Sequence, residues 1–176
     1  MDDYVMVATA TIDKYVKTSR KLMLEEVEDQ LSEENLYDMT HEQAGTFVSI
    51  HEDGMLRGCI GTISPTADNL FEEIVYSAIS ACSSDPRFYP VREEELKGLE
   101  IKVDRLYPAE LIKDEADLDV VKYGVIVESG HRRGLLLPNL EGVNTIEEQV
   151  GIAMKKAGIT SYEGMTMQRF EVERHE

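Results

Sequence analysis

The chain is short of cysteine, with two in 176 residues, and short of positive charge, with 18 lysines and arginines against 35 acidic residues. Two cysteines, Cys59 and Cys82, make no disulfide framework, and such scarcity fits a reducing cytoplasm. The formal charge of −17 argues against nucleic acid as a partner, since wrapping phosphates needs a basic surface. It also disfavours an anionic membrane surface. No apolar run of about 18 residues occurs, so no membrane span is expected. The N-terminus, Met1-Asp2-Asp3, is acidic and has no apolar signal core. Glycine-rich phosphate loops and the Gly-x-Ser-x-Gly elbow are missing. The four histidines are scattered, so neither a metal site nor a cofactor is expected.

What remains describes a globular protein. Apolar content is 42% and charged content 30%, and the length suits one domain over residues 1–176. Apolar periodicity predicts a long helix over 4–30, then a polar loop or short helical insertion over 32–44. Two apolar runs flank Asp53-Gly54, the signal of a β-hairpin. A helix over 68–82 follows, with Asp68 as its cap and a buried stripe that includes Phe71, Ile74 and Ala78. Pro86 and Pro90 end it. A short acidic helix over 92–97 is expected next. Leu99 to Asp104 alternates as a half-buried strand, and an acidic connection covers 109–119. Two further strands, 123–127 and 133–137, meet at Ser129-Gly130. Thr145 opens a helix that Gly158 closes, and a last strand covers 165–172. Strands in hairpins favour an α+β fold with a mostly antiparallel sheet.

The second strand of the first hairpin, Leu56-Arg57-Gly58-Cys59-Ile60-Gly61, is the centre of the chain. Alternation puts Leu56, Gly58 and Ile60 on the core face. Arg57, Cys59 and Gly61 then share the other face. Two readings of Cys59 stand. A thiol beside a guanidinium is acidified and nucleophilic; a small residue between glycines is simply buried at a tightly packed place. Arg57, Arg87, Arg132 and Arg133 fall in three short stretches, and arginines that converged would form a pocket for carboxylate or phosphate. Equally, Arg87 can pair with Asp85 and the others can be solvated. His131, at the second hairpin's turn, could serve Cys59 as a base only if the two hairpins met. Tyr76, Phe88 and Tyr89 read as core residues.

The order of these motifs, with Asp85-Pro86-Arg87-Phe88 and then Arg132-Arg133 before Leu136-Leu137-Pro138, resembles the AMMECR domain family. It is similar to the bacterial branch called AmmeMemoRadiSam system protein A. The match runs over roughly residues 5–172. The resemblance implies an α+β domain with an antiparallel sheet, flanking helices and a smaller helical subdomain. It also implies partners: a Memo-like protein similar to extradiol dioxygenases, and a radical SAM protein. It brings no catalytic residues. Arg57, Gly58, Cys59, Gly61, Asp85, Pro86 and Arg87 match the family motifs, while Asn139 to Val143 lacks expected aromatics. Two functions follow. One is a component that acts on or binds a small anionic substrate around Arg57, Cys59 and Arg87, with Gly58, Gly61, Asp85, His131 and Arg132 as further candidates. The other is a non-catalytic module that docks onto those partners.

Overall fold

Asp2 begins the first helix by accepting the backbone N–H groups of Tyr4 and Val5 at 2.8 and 3.2 Å. In the computed structural model, which describes residues 1–176, this helix is α1 (Asp3–Thr18). Tyr4, Val7, Ala8 and Ile12 form its buried stripe. The helix stops well short of the predicted residue 30. Ser19 adopts a left-handed φ of 58° and its N–H returns to the Tyr15 carbonyl, a C-cap that the sequence disguises by using serine in place of glycine. Leu24–Glu26 and Glu28–Gln30 form short 3-10 turns instead. The polar stretch after them is a true helix, α2 (Glu33–His41), capped by Ser32.

Strands β1 (Gly45–Glu52) and β2 (Met55–Gly61) form the expected antiparallel hairpin, with positive φ at both Asp53 and Gly54. The hairpin register shifts between Ile50 and His51, so Arg57 is an extra residue without a partner on β1. This β-bulge changes which face the strand tip presents. Leu56 therefore leaves the core face assigned to it by simple alternation and is 38% exposed. Gly58 and Ile60 keep their places.

Helix α3 (Leu70–Ser83) lies on this hairpin, capped by Asn69 and not by the expected Asp68: Asn69 accepts the Glu72 N–H at 2.9 Å. Its apolar stripe is buried as the periodicity implies. A 3-10 turn, Glu93–Gly98, replaces the expected short helix and leads into β3 (Leu99–Leu106), which pairs along the other side of β1.

The backbone divides into two compact units, one formed by Met1–Leu106 with Glu173–Glu176 and the other by Tyr107–Val172. In the second unit, β4 (Glu110–Ile112), β5 (Gly124–Ser129), β6 (Arg132–Leu136) and β7 (Thr166–Phe170) form an antiparallel sheet ordered β4-β7-β5-β6. Helix α4 (Ile146–Ala157), capped by Thr145 and closed at left-handed Gly158, packs on β5 and β6 over its own core of Val125, Val127, Val150 and Ala153. The last strand, β8 (Val172–His175), joins the first sheet, whose order is β2-β1-β3-β8. No helix is long and apolar enough to cross a membrane.

One buried acid holds the approach to α3. Glu73 is 1% exposed. Its carboxylate accepts the Thr62 hydroxyl at 2.7 Å, the Thr66 N–H and hydroxyl at 2.8 Å each, and the Ala67 N–H at 2.7 Å. Burial pushes its pKa up, but these hydrogen bonds outweigh that and leave it below the usual carboxylate value. Glu73→Gln keeps the size, loses the charge and sets an amide NH2 against donors. We expect a loss of about 2 kcal/mol in urea unfolding, since buried groups without partners cost about 1–3 kcal/mol. A variant as stable as the parent would mean that this network contributes nothing.

Candidate functional site

Cys59 sits opposite Ser49 in the hairpin, and its Sγ lies 3.3 Å from the Ser49 hydroxyl. The thiol is half-buried, whereas Cys82 is buried and its thiol is pushed up to about 11 by that burial. Neither cysteine is in a disulfide. β2 is the outermost strand of its sheet, so the outward N–H and C=O of Cys59 have no strand to meet. The loop after α3 meets them instead. Asp85 accepts the Cys59 N–H at 2.9 Å, and Arg87 Nη2 donates to the Cys59 carbonyl at 3.4 Å. Asp85 and Arg87 thus occupy the place of a neighbouring strand.

Their own geometry explains the Asp-Pro-Arg order. Asp85 Oδ1 accepts both the backbone N–H and the Nε–H of Arg87 at 3.0 Å, and Oδ2 accepts Nη2 at 2.8 Å. Pro86 between them fixes the turn that lets one carboxylate reach both groups. The Asp85 side chain is 2% exposed and that of Arg87 is 54% exposed. Hydrogen bonding by Arg87 is the main cause that holds the Asp85 carboxyl down at about 2. Arg87 is held up in turn, chiefly by Asp85, with the negative charge of a Cys59 thiolate adding to it.

A further arginine joins this field. Arg174, on β8, makes a bidentate pair with buried Asp104 at 2.8 and 2.9 Å. Asp104 is the main cause raising Arg174, and the Cys59 charge again contributes. A Cys59 thiolate would therefore stand in the field of two guanidinium groups. Sequence reasoning missed Arg174, Asp104 and Ser49. Arg174 lies on β8, at the opposite edge of the sheet from β2, and acts on Cys59 through its charge, which no local spacing encodes.

Arg57 turns out to be a structural clasp. Its Nε and Nη2 donate to Glu95 at 2.9 and 3.2 Å, Nη1 donates to the Tyr89 carbonyl at 2.8 Å, and Nη2 reaches the Pro90 carbonyl at 3.4 Å. Arg57 thereby fastens the loop after α3 to the bulge in β2. Glu95 is lowered mainly by this pairing. The glycines serve packing: a Cβ on Gly58 would lie 2.3 Å from the Ala81 carbonyl of α3, and one on Gly61 2.0 Å from the Thr46 carbonyl.

Beside this clasp lies an open depression of about 1040 Å³ lined by Arg57, Arg87, Arg92, Phe88 and Tyr89 with the two flanking prolines. Tyr89 is 90% exposed and Tyr76 44% exposed, so neither is the core residue that the acidic composition suggested. A tyrosine between two prolines on a loop has no element to pack under. Phe88 is half-buried and carries the Arg87 guanidinium 5.4 Å from its ring centre. Six candidates, Arg57, Gly58, Cys59, Gly61, Asp85 and Arg87, are thus gathered in the first unit. His131 and Arg132 belong to the second, at the β5–β6 turn, where Arg132 donates to the Gly158 carbonyl at 2.5 Å. No group of three or more histidine, cysteine or acidic side chains is arranged to hold a metal.

Known proteins place the chain in a family. A protein of Clostridium acetobutylicum is 48% identical over 174 residues, which are 99% of this chain but only 36% of that protein. The chain thus spans about a third of that relative's length. A Thermotoga maritima protein is 46% identical over 98% of this chain and 96% of its own length. The crystal structure of an uncharacterised protein from Pyrococcus horikoshii, 30% identical, superposes with a TM-score of 0.85 over 97% of this chain and 88% of that one. The family model described as AMMECR1 matches residues 5–175, and the chain belongs to that family.

Proposed function

We propose that this AMMECR1 domain binds a small anionic substrate in the depression beside Arg87, next to the strand that carries Cys59. One observation carries the reading. Arg87 is fixed on one side by Asp85 and the Cys59 carbonyl, yet more than half of its side chain is open to solvent. A guanidinium locked in place but exposed is pre-organised for a carboxylate or phosphate. Arg92, whose side chain is 74% exposed, lines the same depression. Arg57 orders the wall and does not itself hold the anion. Cys59 contributes fit, and reactivity as far as the guanidinium groups acidify it. The domain works in the cytoplasm, as a component of a pathway with a Memo-like protein and a radical SAM protein, without binding nucleic acid or membranes.

Calorimetric titration with a panel of small carboxylates and phosphates tests the reading. Binding should fall at least tenfold in Arg87→Ala, while Cys59→Ser folds normally and weakens binding only slightly. Equal affinity in Arg87→Ala and the parent would sink it. Alkylation of the native protein from pH 6 to 9 gauges the thiol. Half-maximal labelling of Cys59 below the ~8.5 of an unperturbed thiol would make it an activated nucleophile, and labelling at that value leaves it to fit alone. Cys82 should stay unlabelled until the protein unfolds. Should Cys59 also resist labelling at every pH, it is a core residue.

A second reading is a docking module for the same partners. It is supported by Tyr89 and Met55, which are 90% and 73% exposed, because tyrosine and methionine are enriched at interfaces. Tyr89→Ser would then weaken capture of the Memo-like or radical SAM protein and leave acetate binding intact.

A further inference from the structure

We infer that the ligand of this depression is an aromatic monocarboxylate, its ring lying on Tyr89 and its carboxylate taken by Arg87 and Arg92. The inference rests on the small-anion reading above and narrows it. The donors decide the first half. Arg57 gives four hydrogen bonds within the protein. Arg87 uses Nε and Nη2 internally, and its Nη1 faces no partner. Arg92 has only a loose contact with Glu94, at 3.6 Å. The two remaining donor sets suit one planar, two-oxygen acceptor.

The local charge decides between mono- and dianion. Arg57, Arg87 and Arg92 are each countered by one carboxylate, Glu95, Asp85 and Glu94 respectively. The field there is near neutral, so a dianionic phosphate gains little over a monoanion and charge alone holds either weakly. The lining must supply the rest. It is made of Phe88, whose ring the Arg87 guanidinium covers, and a Tyr89 that nothing in the fold buries. Planar rings and guanidinium planes favour a planar ligand over a puckered one of equal size.

The test is an NMR shift titration of the whole labelled chain with benzoate, cyclohexanecarboxylate, acetate and phenyl phosphate. Benzoate should bind tightest, about tenfold better than acetate and about threefold better than cyclohexanecarboxylate, with the largest shifts at residues 87–92. Tyr89→Ala, at an exposed position, should cut benzoate affinity about fivefold and leave acetate unchanged. Arg92→Gln should weaken both carboxylates. Equal binding of benzoate and cyclohexanecarboxylate, or an unaffected Tyr89→Ala, would overturn the ring assignment while leaving the small-anion reading in place. Tighter binding of phenyl phosphate would overturn the monocarboxylate. If none of the four binds, the small-anion reading falls and takes this inference with it.

Discussion

Gly58→Ala is expected to lose about 3 kcal/mol in chemical unfolding, at the upper end of what overpacking costs. The new methyl would sit 2.3 Å from the Ala81 carbonyl oxygen and 3.3 Å from its carbon, both backbone atoms of α3. A side chain in the way could rotate; a helix backbone cannot. Helix α3 is wedged between the hairpin and α1, so moving it opens packing elsewhere. Alanine's entropic advantage over glycine, about 0.5–1 kcal/mol, does not compensate. Gly98→Ala provides the control. The nearest atom to its new methyl is the Glu52 carboxylate oxygen at 3.8 Å, so a change within about 0.5 kcal/mol is expected. If both variants unfolded at the same denaturant concentration, the close approach of strand and helix would carry no energetic weight.

Asp85→Ala should cost nearly as much. It removes the acceptor for the Cys59 N–H, for the Arg87 N–H and for the guanidinium in one change. Buried donors left without partners cost about 1–3 kcal/mol. Arg87 is half exposed and finds water, so we expect about 3 kcal/mol in all and no more. Acid tests the same group independently. The folded value of about 2 lies below the ordinary 3.8 of an aspartate, so Asp85 stabilises the fold fully above about pH 4. That contribution, about 2 kcal/mol, is lost as pH falls from about 4 through 2. The parent should lose this stability between pH 4 and 2, and the difference between parent and Asp85→Ala should shrink over the same window. A constant difference across that range would show that the carboxylate's charge is not what matters.

Much of this architecture can be read from local sequence. Asp53-Gly54 gives the hairpin, the prolines end α3, and Thr145 and Gly158 bracket α4, because each signal acts within a few residues. The misreadings share a different cause. Ser19 ends α1 in a conformation that composition does not announce. Leu56 is displaced by a bulge that only the pairing with β1 reveals. Tyr89 looks apolar but lies on a loop with nothing above it. The site follows the same division. The pairing of Asp85 with Arg87 spans two residues and was open to inference. The clasp of Arg57 on Glu95 and the pair of Arg174 with Asp104 join distant segments, whose contact depends on the whole first sheet.

The side-chain cover on β2 has a consequence for self-association. An outer strand with unmet backbone groups invites a strand from another molecule, the route to edge-to-edge assembly and aggregation. In this fold a single carboxylate and a single guanidinium close that invitation at Cys59. Self-association is therefore opposed by two charged side chains at the rim of the sheet as well as by the net charge of −17. The acidic surface loses its charge at about pH 4, whereas Asp85 stays ionised down to about 2, so the rim remains closed through the range where mutual repulsion is weakest. Dimers and larger species should therefore emerge on size-exclusion chromatography at about pH 4 in Asp85→Ala and not in the parent.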